Sequence, residues 1–368
     1  MNSKKIGLVN YYYSNNNYGA VLQAYALQEI LIEMGHNVEI IDFRNSSRRI
    51  DKFLREVKLI NSPNNSFEQF RKNYLKISKH RYYWPIQLQL AKFNYDVVIV
   101  GSDQMWRADF NNSKSIVAPH TVFYLSFLPN NIKRLAYAIS FGVDYWNTGK
   151  FKRYHDNVIS EVNKFYAVSV RERQGITICA DNFGLNVPLV LDPTLLVDKG
   201  VLDNLILSNI RTNASNQIAY YKLDYNSDFE KTLHFLSEHI GIKTQDIYHK
   251  HNSKSNNEFE YLSIQDWLGS IRDSTLVITD SYHCVCFCII FHKQFIYFAN
   301  ALRGNSRIES LLSVLGMSNR IYSSFDSLVS DKRWEEPIDF SLVENKLDEL
   351  RLVSMNFFKK SLFDEISY

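Results

Sequence analysis

This sequence is short of the features that mark several large classes of protein. No apolar run reaches the ~18 residues that cross a bilayer as a helix. Lys4-Lys5 leads straight into Ile6-Gly-Leu-Val9, with no long apolar segment and no small-residue cleavage site, so a cytoplasmic protein is expected. Cysteine is scarce. Of the four, Cys284, Cys286 and Cys288 crowd one segment far from Cys179, which is not the spacing of a secreted disulfide framework. If that segment is helical, Cys284, Cys288 and His292 share a face, yet small neutral thiols in a core fit it better than a metal site. There is no HExxH, CxxC or DxD motif, and the loop after the first strand is not GxGxxG. Neither a metal nor a dinucleotide is therefore expected. Net charge is only +3, too little to point to nucleic acid. No internal repeat or low-complexity stretch is evident.

What is present is globular: 45% hydrophobic and 22% charged over 368 residues, a length that suggests about two domains. Tyr and Phe are abundant, and their rings serve both as core and as flat platforms for sugars. Lys5 to Tyr13 reads as a strand. A Tyr- and Asn-rich loop runs to Gly19, a helix follows to Met34 with Gly35 as its cap, and Asn37 to Phe43 is the next strand. Tyr95 to Gly101, Lys133 to Ser140 and Phe165 to Val170 are further strands, and Val187 to Val190 another. The turns that follow carry Asp103, Ser140 and Arg171, and parallel strands bring such turns to one rim. The basic run Arg44 to Lys58 is either a solvated face or a contact for anionic lipid or a diphosphate. Around Ser208 to Ser215 the chain turns polar, and a second alternation of strands and helices starts at Gln217. The expected fold class is α/β: two doubly wound Rossmann-like domains facing across a cleft. They span residues 1–210 and 211–335, and a terminal helix in 336–368 is able to pack back on the first domain.

One stretch organises the second domain. Leu276-Val-Ile is a buried strand, Thr279-Asp-Ser-Tyr-His283 a polar turn with three N-cap candidates, and Cys284 to Phe291 an apolar helix. His283 then stands at the carboxyl end of a strand and the start of a helix. Ligands gather there in open α/β sheets, because free N–H groups and the helix dipole point into the crevice. On these residues alone, a strand-to-helix turn with a solvent-facing histidine is the other reading.

Several short motifs occur in a fixed order: Asn17-Tyr-Gly-Ala-Val-Leu-Gln-Ala-Tyr-Ala-Leu27, Val100-Gly-Ser-Asp-Gln-Met-Trp106, Ala138-Ile-Ser-Phe-Gly142, Ser169-Val-Arg-Glu-Arg173, Leu191-Asp-Pro-Thr194, Thr279-Asp-Ser-Tyr-His283 and Asn305-Ser-Arg-Ile308. Together, from Ile6 to about Arg320, they resemble the polysaccharide pyruvyl transferase family. The resemblance implies a GT-B-like fold. It also implies transfer of pyruvyl from phosphoenolpyruvate to a sugar hydroxyl pair as a ketal, in capsule, exopolysaccharide or cell-wall polymer synthesis. Phosphoenolpyruvate would be a co-substrate and no cofactor is implied. The acceptor would be a saccharide, in one form linked to polyprenyl diphosphate, with peripheral contact at the inner face of the membrane.

Such chemistry needs cations or helix N-termini for the donor's phosphate and carboxylate, an acid for its methylene and a base for the incoming hydroxyls. By the family pattern, Arg171 matches a donor-binding arginine. His283 matches the histidine of the donor site, as general acid or phosphate contact. Asp103 matches an acidic position that is either the base or the cap of a following helix. The Asn17-Tyr18-Gly19 loop is the expected acceptor contact. One position departs: several members carry Arg where Ser281 stands here. Arg303 and Arg307 are the expected substitutes, joining Ser281 in the donor site. Two other readings share the fold: a GT-B glycosyltransferase using a sugar nucleotide, and a non-catalytic saccharide-binding relative.

Overall fold

Short apolar runs, too hydrophobic to face water on either side, set up two parallel sheets. The structure is a computed structural model that describes residues 2–44, 66–107, 121–146, 152–207, 216–251, 259–299 and 305–363. The chain divides into two units, Met1–Leu196 with Leu350–Tyr368, and Val197–Glu349.

In the first unit, β1 (Lys5–Val9), β2 (Asn37–Phe43), β3 (Ile77–Tyr82), β4 (Val97–Val100), β5 (Lys133–Ile139) and β6 (Ala167–Val170) form one sheet in the order β3-β2-β1-β4-β5-β6. Every pairing is parallel. Val-Val-Ile-Val of β4 is buried at all four positions, as a strand covered on both faces must be. The order reverses between β1 and β4, which makes their carboxyl ends the switch point where such sheets bind ligands. The helices of this unit are α1 (Tyr18–Glu33), α2 (Ser66–Tyr74), α3 (Pro85–Leu90), α4 (Lys152–Val162) and α5 (Arg173–Phe183). Thirteen of the sixteen residues of α1 are buried, so it is covered on nearly all sides. Its two inner glutamines are bonded. Gln28 bridges Tyr74 O and Lys76 N, and Gln23 Oε1 accepts from Ser102 N at 3.1 Å, pinning the turn after β4 to α1.

In the second unit, after α6 (Lys199–Leu207), come β7 (Ile218–Tyr221), α7 (Ser227–Ile240), β8 (Thr244–Asp246), the two-residue strands β9 (Lys250–His251) and β10 (Phe259–Glu260), α8 (Ile264–Asp273), β11 (Leu276–Thr279), α9 (Tyr282–Ile290), β12 (Phe295–Phe298), α10 (Ser306–Leu315), β13 (Ile321–Tyr322), α11 (Phe325–Ser330) and α12 (Phe340–Phe363). The sheet order is β13-β12-β11-β7-β8, again parallel throughout. Here the switch point lies between β7 and β11. All nine residues of α9 are buried, its three cysteines among them. Helix α12 belongs to the second unit as far as Glu349 and to the first from Leu350. Its later turns join the first unit's core. Ser354 Oγ accepts from Leu191 N, Arg351 Nε donates to Leu195 O, and Phe358 stacks on Tyr137 at 4.1 Å. Among the described residues, no helix is long and apolar enough to cross a membrane.

The sequence-based expectations differ from this in places. The division between units falls at Leu196, not near 210, because α6 packs with α8, where Arg272 Nη1 meets Asp203 Oδ1 at 3.3 Å. The polar stretch 208–215 lies outside the described residues, as does the basic run beyond Arg44. The strand expected over Lys5 to Tyr13 stops at Val9, and Val187 to Val190 contributes only the bridge Val170–Leu189. Helix α5 was not expected at all.

Gly101 closes the turn after β4 with φ +129°, and a Cβ there would lie 2.0 Å from Tyr137 O. Gly101→Ala is expected to cost about 3 kcal/mol or more of stability through that collision and the strained backbone. Urea denaturation checks it; a loss below about 1 kcal/mol would mean that the close approach is absent.

Candidate functional site

Each unit gathers polar residues at the carboxyl ends of its strands, and in each a buried cation–carboxylate pair lies at that edge. In the first unit the cation is Arg171, which directly follows β6. Its side chain is fully buried. One nitrogen, Nη1, donates to Asp192 Oδ2 and to Ser102 Oγ, and Nη2 donates to Asp103 Oδ1 at 2.9 Å. Ser102 Oγ in turn donates to Asp192, and Asp192 Oδ1 takes Thr194 N and Oγ1. The guanidinium thus ties the turn after β4 to the Leu191-Asp-Pro-Thr194 turn. A buried charge needs such pairing to be tolerated. Asp103 itself is in the left-handed region, φ +78°, and 11% of its side chain stays open to solvent, whereas Asp192 is fully enclosed.

Around this node several buried polar atoms have no hydrogen-bond partner. Both side-chain atoms of Asn10, which directly follows β1, are in this state, as are Ser140 Oγ at the end of β5 and Glu172 Oε2. The other oxygen of Glu172 accepts from Phe141 N and Gly142 N. Leaving a buried polar atom unbonded costs about 1–3 kcal/mol, so each such atom calls for an explanation, and a bound ligand is one. Asn10 stands at the switch point, since Val9 O accepts from Gly101 N. Ser140 N donates to Asp103 O, so Ser140 adjoins the same turn.

In the second unit the buried cation is Lys222, just after β7. Its ammonium lies 3.0 Å from Asp280 Oδ2, with both side chains enclosed. Asp280 also takes Leu223 N and Asp224 N across the switch point. Thr279 Oγ1 donates to Tyr221 O and accepts from Ser281 N, which fixes the turn. Ser281 is the N-cap of α9, its hydroxyl accepting from Cys284 N. His283 falls in the first turn of α9, buried, its ring 5.3 Å edge-on from Tyr282.

The expected site residues are distributed as follows. Asp103 and Arg171 meet directly in the first unit, and Ser281 and His283 share one turn in the second. Arg171 faces inward onto carboxylates, so it acts on this edge by holding Asp103. Residues 104–107, directly after Asp103, form a turn rather than a helix. Asn17 caps α1 through Ala20 N, Gly19 is buried in that helix, and the Tyr18 ring is buried against Phe67 at 4.8 Å. A buried ring offers no face to a sugar, which leaves Tyr11 and Tyr13 as the partly exposed rings of the loop. Arg307 opens α10, and Arg303 lies outside the described residues. Among the described residues, no group of three or more His, Cys, Asp or Glu is placed to hold a metal. A cavity of about 550 Å³, lined by Phe165–Val168, Leu185–Pro188 and residues of α12, opens at the amino end of β6, away from these turns.

A family profile for polysaccharide pyruvyl transferase matches residues 17–301, most of the chain. The chain belongs to the polysaccharide pyruvyl transferase family. A search of curated proteins finds no match. Among solved structures, a putative UDP-N-acetylglucosamine 2-epimerase from Listeria monocytogenes is similar at 11% identity and TM-score 0.52, covering 100% of this chain and 98% of that one. The Neisseria meningitidis UDP-GlcNAc 2-epimerase bound to UDP-GlcNAc gives 9% identity and TM-score 0.53, over 98% and 100%. The S. aureus MnaA–UDP structure gives 12% and 0.53, over 99% and 98%. At such identity the likeness speaks for the fold, which is GT-B-like with two parallel α/β sheets.

For a pyruvyl transferase family member, the residues that sequence reasoning passed over are Asn10, Ser102, Asp192 and Lys222. Each had one available signal, a polar residue set directly after an apolar strand or inside a motif. Asn10 lies outside the family match altogether.

Replacing Arg171 by Met removes the cation between two carboxylates and is expected to cost about 3–5 kcal/mol. Arg171→Lys keeps the charge without the fork and should lose less. Chemical denaturation of both variants checks this, and equal stability of Arg171→Met and wild type would contradict the node.

Proposed function

We propose that this protein transfers pyruvyl from phosphoenolpyruvate to two hydroxyls of a saccharide, forming a cyclic ketal and releasing phosphate. The observation that carries the reading is the Thr279–His283 turn. It sets a histidine and a helix N-terminus at the switch point of the second sheet, next to the Lys222–Asp280 pair, within a chain of this family.

On the donor side, the first-turn N–H groups of α9 receive the phosphate. Lys222, and Arg307 at the start of α10, bring positive charge where the family's arginine is replaced by Ser281. His283 gives a proton to the methylene carbon, which becomes the methyl group and leaves an oxocarbenium-like centre at C2. A first sugar hydroxyl adds to C2 and loses its proton to a base. The C–O bond to phosphate then breaks, and the second hydroxyl adds. Two hydroxyl protons are lost; one balances the proton on the methyl group and the other leaves on phosphate.

On the acceptor side, Asp103 is the base, held in place by Arg171 and open to solvent on one side. The unpartnered amide of Asn10 and hydroxyl of Ser140 are the groups that bind sugar hydroxyls. Burial, with Tyr13 and then the Asp103 carboxylate, holds the Tyr11 phenol well above its ordinary range. Tyr11 therefore stays neutral and able to donate a hydrogen bond to the acceptor.

The bond that breaks gives the test. Phosphoenolpyruvate labelled with ¹⁸O in the bridging position is incubated with the enzyme and a pool of lipid-linked saccharides, and the phosphate is read by ³¹P NMR. The label should appear in phosphate, because C2 exchanges its bridging oxygen for sugar oxygens. Unlabelled phosphate, or consumption of a sugar nucleotide without phosphoenolpyruvate, would contradict the proposal. In the same assay Asn10→Ala should raise the acceptor's KM about tenfold and leave that of phosphoenolpyruvate within about twofold.

A further inference from the structure

Helix α3 directly follows β3, the outermost strand of the first sheet, and it turns an apolar face away from the core. Leu88 is fully buried in the first unit's core and anchors the helix. Gln87 Oε1 accepts from Tyr83 N and Trp84 N at 2.7 and 3.0 Å, which fixes its first turn. Phe93, just after the helix, packs on Tyr82, just before it, at 6.0 Å, so the chain leaves and rejoins the unit at one place. Ile86 and Leu90 lie two residues to either side of Leu88. At about 100° per residue that puts both on the opposite side of the helix, one turn apart. They are 55% and 79% exposed, and Trp84 beside them is 42% exposed. Single apolar side chains on a surface need no explanation, but a contiguous group held in water by a buried anchor marks a place of contact.

Charge indicates what makes that contact. From Gln69 to Tyr95 the sequence has six lysines and arginines, one histidine and no acidic residue. Arg71 and Arg81 are committed, to the Ser14–Asn15 loop and to Asp42. Lys72, Lys76, Lys79 and Lys92 are exposed, and none of them forms an ion pair among the described residues. Lys79 and His80 come shortly before the apolar group, and Lys92 comes two residues after it. A second copy of the chain, meeting this face across a two-fold axis, would set these cations against themselves. A surface that is anionic outside and apolar beneath suits both features at once. Tryptophan favours the headgroup level of a bilayer, aliphatic tips enter the acyl boundary, and lysines meet lipid phosphates.

We propose that Trp84, Ile86 and Leu90, flanked by Lys79, His80 and Lys92, form a docking surface for an anionic lipid bilayer. The protein lies on the bilayer through this surface and does not span it. The inference stands on α3 and its flanks alone and does not use the transfer reaction.

Flotation of the full chain with vesicles of phosphatidylcholine and about one third phosphatidylglycerol tests it, with vesicles of phosphatidylcholine alone as reference. Wild type should float with the anionic vesicles and at least tenfold less with the neutral ones. Ile86→Ser combined with Leu90→Ser should weaken partition at least tenfold, and so should Lys79→Gln combined with Lys92→Gln. These side chains are exposed, so the variants should melt like wild type. If a variant melts early, Trp84 carries the test. Anionic vesicles should shift wild-type tryptophan fluorescence to the blue, and Trp84→Phe should abolish the shift. No flotation of wild type, or equal flotation by the serine variant, would overturn the proposal. Equal flotation with neutral vesicles would overturn it as well, since charge would then play no part. So would dimerisation without vesicles that the two serines abolish, which would give the surface to a second copy.

Discussion

The carboxyl edge of the first sheet depends on one buried guanidinium. Arg171 joins the end of β6 to the turn after β4 and to the Asp192 turn through a single fork. Arginine suits this place because its planar donors reach two carboxylates at once, which a lysine ammonium does less well. Removing a charge from water is costly, so the three side chains hold only as a set. Asp103 gains a fixed direction from that set while keeping some contact with solvent. The second sheet uses the same device in a smaller form. Lys222 and Asp280 pair across β7 and β11, and Asp280 also holds the backbone after β7. In both units the pair sits at the switch point or joins its turn to the neighbouring strand ends. The strand ends at these turns are thereby cross-linked by buried charge pairs.

That rigidity contrasts with the unbonded atoms nearby. Asn10 and Ser140 are enclosed, polar and without protein partners, while Gln23 and Gln28 of α1 are enclosed, polar and bonded. Other buried polar atoms without a hydrogen bond, such as His36 Nε2 and Gln217 Nε2, lie elsewhere in the fold, so it is the position of Asn10 and Ser140 beside the Asp103 turn that singles them out.

Much of the fold was legible in the sequence. Continuous apolar runs such as Val97-Val-Ile-Val marked parallel strands, and polar residues directly after them marked the carboxyl ends of those strands. The ordered motifs were enough to indicate the family. Burial was harder to see. Tyr18 looks like a sugar platform in a Tyr-Asn loop, but it begins an enclosed helix and packs on Phe67, a contact made across 49 positions that no local pattern encodes. Arg171 looks like an anion clamp because the sequence does not reveal that Asp192 and Asp103 fold onto it. Lys222 and Asn10 went unnoticed because a single polar residue after a strand is common. Helix α5 was missed because no element was assigned to residues 173–183, although Gly184, left-handed at φ +67°, marks its end.

The central claim is that the turn after β11 holds the donor. Calorimetric titration of phosphoenolpyruvate into wild-type protein and into His283→Ala tests it most directly, because it needs no knowledge of the acceptor. The account predicts saturable binding by wild type and a loss of at least tenfold in the variant, with both proteins melting alike. Equal binding by the two proteins would remove the donor from this turn. Absence of binding by folded wild type, alongside binding of a sugar nucleotide, would contradict the account outright.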